Sequence, residues 1–157
     1  MFKAATTTVL LSAGLLCSVA PARAGGIAES IQPQPDAPVQ ISGCTAGIQF
    51  VSNGWGTSFS RLNTGVDFKN TSAKVSVAVL FRLQLSNAFG DVLGNIFGQA
   101  TGQFATGAVI SGNRWSNTDT WPGLAVVQCS VSRVLFFDGS VWPEPQGQAS
   151  PTPSPSP

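Results

Sequence analysis

Lys74-Val75-Ser76-Val77-Ala78-Val79-Leu80-Phe81-Arg82-Leu83-Gln84-Leu85-Ser86 is the stretch that decides how this chain folds. Val75, Val77, Val79, Phe81, Leu83 and Leu85 occupy every second position, with Ser76, Ala78, Arg82 and Gln84 between them and Leu80 as the exception. Successive side chains of a strand point to opposite faces, so this order lays one continuous apolar stripe along a β-strand. On a helix the same residues would scatter around the circumference.

The alternation continues on both sides. Upstream, Gly65-Val66-Asp67-Phe68-Lys69-Asn70 has the same period, and Asn70-Thr71-Ser72 is the expected turn of a hairpin joining it to the central strand. Downstream, Leu124 to Phe137 reads as a second long strand. Val127, Cys129 and Val131 share one parity and Val134 and Phe136 the other, so a one-residue bulge near Ser132–Arg133 would bring both groups to one face. Asp138-Gly139 signals a tight turn, followed by Ser140-Val141-Trp142 as a short closing strand. Ile48–Val51 and Phe104–Ile110 are shorter strand candidates. Gly90, Gly94, Gly98, Gly102, Gly107 and Gly112 recur irregularly, as turns and bulges do. Short alternating strands punctuated by turn residues predict an all-β, immunoglobulin- or fibronectin-like antiparallel β-sandwich.

The flanks have a different texture. Residues 1–24 carry the three parts of an export signal: Lys3, an apolar run strongest from Val9 to Ala20, and Ala22-Arg23-Ala24 in the A-x-A spacing of a cleavage site. The chain therefore divides into a signal peptide at 1–24, an extended Pro/Gln-containing arm at 25–43, a sandwich domain at 44–142 and a Pro/Ser-rich tail at 143–157. The tail has no large apolar side chain with which to bury a core and is expected to be disordered. Removal of the signal takes away Cys17, so Cys44 and Cys129 are the two cysteines left. In an exported chain they are expected to form one disulfide, the alternative being two free buried thiols.

The stretch Leu83-Gln84-Leu85-Ser86-Asn87-Ala88-Phe89-Gly90-Asp91-Val92-Leu93, with Val66-Asp67-Phe68-Lys69-Asn70-Thr71-Ser72 before it, resembles bacterial FxLYD-type domains over residues 65–93. These are small immunoglobulin-like sandwiches on exported proteins. The resemblance implies a sandwich without a catalytic site, and it adds no functional residues.

Composition narrows the chemistry. The chain has no histidine and no tyrosine, which removes Ser-His-Asp and Cys-His catalysis and the commonest zinc ligand. Without Lys3 and Arg23, six basic residues face seven acidic ones, a net charge of −1. Such scattered charge carries no footprint for nucleic acid or for an anionic membrane surface. After signal cleavage no stable membrane insertion is expected. Carboxylates remain: Asp67, Asp91, Asp119 and Asp138, of which a hydrolase would need two facing one cleft. Asn117-Thr118-Asp119 has oxygen ligands suited to calcium, but it reads more simply as an Asx-turn. No catalytic residue, metal ligand or cofactor is assigned on these grounds.

Trp115, Asn117, Trp121 and Pro122 cluster in one predicted loop, and exposed tryptophan is enriched at recognition sites. The sequence thus points to a secreted or periplasmic, non-catalytic binding or adhesion module for a protein or glycan partner. Its candidate surface is Trp115, Asn117 and Trp121, unless these rings simply close the end of the sandwich. Two alternatives stand beside it: an envelope assembly component pairing through an edge strand, and a carboxylate-dependent hydrolase.

Overall fold

In the computed structural model the described residues are 26–52, 58–119 and 121–143, and they form two packed β-sheets with no helix. The expected signal peptide at 1–24, Trp55 and all but the first residue of the tail lie outside these residues. The central strand of the first sheet is β4 (Ser76–Asn87), flanked by β7 (Leu124–Phe136) and β5 (Val92–Phe104). The far edge of β7 is shared by β1 (Ala28–Ile31), which runs parallel to it, and β8 (Val141–Trp142), which runs antiparallel. The second sheet is β2 (Val39–Ser52), β3 (Ser58–Asn70) and β6 (Val109–Asn117), in that order and all antiparallel.

The two layers bury the alternating stripes that the sequence displays. Val79, Phe81, Leu83 and Leu85 of β4 and Val127, Cys129, Val131, Val134 and Phe136 of β7 face Val39, Cys44, Leu62, Val66 and Phe68 of the other sheet. Phe68 sits at the centre, with ring centroids 5.2 Å from both Phe81 and Phe104. The disulfide Cys44–Cys129 bridges β2 to β7, and therefore one layer to the other, across 85 residues of sequence.

The parity change in β7 is absorbed by a bulge. Leu80 pairs with Arg133 and Phe81 with Val131, so Ser132 is the extra residue and both apolar groups point inward. A second irregularity lies between Ser76 and Ala78 in both ladders of β4. It ends the stripe earlier than the alternation suggests: Ser76 is buried, Val77 is half-buried and Val75 is 37% exposed.

Three local expectations are revised. Asn70-Thr71-Ser72 does not close a hairpin, because β3 and β4 belong to different sheets. Phe68 and Phe81 meet across the interior as tilted rings instead of pairing side by side, and the chain turns a corner between layers. Asn70 holds that corner from a fully buried position. Its Nδ2 donates to the carbonyls of Lys74 and Phe104, and its Oδ1 accepts from the N–H and hydroxyl of Ser72.

The candidate strand Phe104–Ile110 is instead the junction of β5 and β6. Ala108 N–H bonds Ala105 C=O, and Gly107 supplies a φ of +79°. The segment expected as an arm contributes β1 and the start of β2, with Ala37 and Val39 in the core. Its anchor is Gln34, whose side chain donates to Val131 C=O and accepts from Val131 N–H, pairing with β7 as another strand residue would.

Candidate functional site

Trp115 is carried by β6 and Trp121 by the β6–β7 connection, and both lean into the sandwich. The reason lies in β5, whose inward positions include Gly94 and Gly98. A Cβ on Gly98 would lie 2.5 Å from the Trp115 ring, and one on Gly94 would lie 2.5 Å from the Trp121 ring. The two indoles thus occupy space that side chains on β5 would fill. Trp115 also contacts Phe81, with ring centroids 5.9 Å apart. Both tryptophans are half-buried and pack against the core. Asn117 ends β6, and its Oδ1 accepts the N–H of Asp119 at 2.6 Å in an Asx-turn. The structure brings Trp115, Asn117 and Trp121 to one region, where two of the three residues serve packing and the third closes a turn.

The carboxylates are dispersed. Asp67, on β3, accepts from Gly112 N–H and pairs with Arg114 at 3.4 Å. Asp91 closes the β4–β5 turn with Asn87. Asp138 sits in the β7–β8 turn, 2.7 Å from Lys74 Nζ. Hydrogen bonds from Lys74 and Ser140 hold the Asp138 carboxyl far below the usual carboxylate range. Asp119 borders a shallow depression also lined by Ile48, Ser60, Leu62, Trp121 and Leu124. Among the described residues, no group of three or more His, Cys, Asp or Glu is arranged to hold a metal ion.

That depression marks an end of the sandwich that sequence reasoning missed. Ile48 pairs with Leu62, Leu62 with Asn117, and Leu124 with Asn87, so the outer parts of β2 and β3 and the β4–β5 turn all converge there. Ile48 and Phe50 keep the inward parity of Cys44 and Ala46, but they stand at the outer end of their sheet. Phe50 is 80% exposed, and Phe89, in the β4–β5 turn, is 92% exposed. Ile48 and Val92 add further exposed apolar surface at the same end. One signal was available in the sequence: Phe89 sits inside Asn87-Ala88-Phe89-Gly90-Asp91, a turn composition in which a large aromatic gains nothing from folding.

No protein-family model matches the chain, and no curated protein or solved structure is significantly similar to it.

Proposed function

We propose that this chain is a secreted or periplasmic, non-catalytic binding module that docks a partner protein on the apolar end of its sandwich. The observation that carries this reading is the pair Phe50 and Phe89, two aromatic rings left largely in water at one end, the first on the outer part of β2 and the second in the β4–β5 turn. Burial of a phenylalanine side chain contributes roughly 1.5–3 kcal/mol, a gain that folding leaves unused here and association can use. Aromatic residues are also enriched where proteins meet. The depression beside Trp121 gives that end a concave floor. The buried disulfide supports an extracytoplasmic setting, where such bonds persist. The likeness to exported FxLYD-type domains belongs to the same reading.

The test is affinity capture from an envelope extract with three baits: the wild-type chain, a Phe50→Ser/Phe89→Ser double variant and a Val109→Ser control. Val109 is 70% exposed, on β6 beyond the Asn70 corner. The double variant is expected to keep its disulfide and fold but lose the captured partner, while the control retains it. An identical set of captured proteins from all three baits would rule the reading out.

A further inference from the structure

We infer that strand β5 is a homodimerisation edge, at which two copies of this chain join their first sheets through antiparallel β5–β5 pairing. The inference starts from a contrast among the strand edges of the same molecule. Natural sandwiches protect their edges with charge, proline, bulges or shortness, because a bare edge pairs with other chains. Here β1 is four residues long and runs into Pro33 and Pro35. The edge of β2 is occupied at Ala46, whose N–H donates to Glu29 Oε1 at 2.6 Å. Strand β6 carries Arg114 and is irregular near Gly112, which has φ of +81°.

Strand β5 has none of these devices along its middle. Among the described residues β4 is its single strand neighbour, and its thirteen residues include no charge and no proline. Its irregularities fall near its two ends, leaving an unbroken register from Gly94 opposite Leu85 to Thr101 opposite Ala78.

The side chains of this stretch complement a second copy of themselves. With a two-fold axis through Phe97 and normal to the sheet, Phe97 faces the partner's Phe97 on the outer surface. Asn95 faces the partner's Gln99 as an amide pair. On the inner surface Ile96 meets the partner's Gly98 and Gly94 meets the partner's Ala100, with the Trp115 and Trp121 rings lying over the glycines. Phe97 is 58% exposed in the single chain and would be covered by its own copy. Aromatic cross-strand pairs are favourable, and an uncharged strand meets no like-charge repulsion across its own axis. Strand pairing alone lies at the small end of interface sizes, below about 1,200 Å² in total, where weak and transient complexes sit. The dimer therefore forms at high protein concentration. It uses neither Phe50 nor Phe89 and stands apart from the docking reading above.

The test combines sedimentation velocity from micromolar to millimolar concentration with cysteine cross-linking. Residues directly opposite in an antiparallel pair have Cα atoms about 4.5–5.5 Å apart, within reach of a disulfide. Both native cysteines of the domain are already paired, so a new thiol reports on its own surroundings. Phe97→Cys is expected to form a covalent dimer on mild oxidation well before Val109→Cys does. The wild-type chain and the Phe50→Ser/Phe89→Ser variant are expected to dimerise alike as concentration rises. Phe97→Lys places like charges across the axis and is expected to weaken dimerisation by about tenfold or more, with the native disulfide and melting temperature unchanged. A wild-type chain that sediments as a monomer throughout would overturn the inference. So would a dimer in which Phe97→Cys cross-links no faster than Val109→Cys.

Discussion

At Gly98 the chain omits a side chain so that the Trp115 ring can cover strand β5, and Gly94 does the same for Trp121. The glycine spacing was visible in the sequence, but its partners were not, because each tryptophan comes from a different element of the fold. A residue with a Cβ at Gly98 would meet three ring atoms of Trp115 at 2.5–2.6 Å. Gly98→Ala is accordingly expected to lower stability by about 1–3 kcal/mol through overpacking, measured by urea unfolding followed by tryptophan fluorescence. Gly47→Ala is the matched control: a Cβ there meets nothing within 4 Å, and its effect is expected to be neutral or slightly stabilising. Asn70 follows the same logic with polar atoms. Read along the chain it is an ordinary turn asparagine, whereas the fold buries it completely and occupies its amide with two carbonyls. A buried amide so engaged holds the corner.

Among the elements, β4 and β7 were the most legible. Their apolar residues recur with the period of a strand, and that period reflects burial on one face whatever the strand pairs with. The Ser132 bulge could be inferred because the inward set of β7 changes parity within one segment. The pairing of β3 was not legible. Alternation gives the same pattern for a neighbour in the sheet and for a strand across the core, so a hairpin and a corner between layers look alike until Phe68 and Phe81 are seen to meet across the interior. The corner is tied to the β7–β8 turn by Lys74, whose Nζ contacts Asp138 at 2.7 Å and Ser140 at 3.0 Å. Because Lys74 and Ser140 depress the Asp138 pKa in the folded chain, the pair stabilises the fold above the ordinary carboxylate value of 3.8 and loses that effect as pH falls below it. Both groups are solvent-exposed, so the effect is small and screened by salt. Asp138→Asn is expected to lower the melting temperature slightly near neutral pH. The difference from wild type should shrink below about pH 4 and in high salt; a difference that grows on acidification would contradict this assignment.

For the whole molecule, the disulfide is a cross-link between layers otherwise joined by packing and by the four connections β1–β2, β3–β4, β5–β6 and β6–β7. It closes a span of 85 residues in a domain whose size leaves little stability in reserve. A Cys44→Ala/Cys129→Ala variant is expected to lose about 2–4 kcal/mol, read as a lower urea midpoint, with the same loss on reducing the wild-type chain. A variant as stable as wild type would mean that the core alone holds the two sheets. The amino-acid sequence by itself determined the all-β class, the inward faces of the longest strands, the β7 bulge and the cysteine pair, because period and composition are local records of which side of a strand meets water. Only the tertiary structure decided which strands share a sheet, why Trp115 and Trp121 are covered while Phe50 and Phe89 stay in water, and which edge is left bare. Those outcomes depend on where each layer ends against the other, and that boundary is a relation between segments distant in the chain.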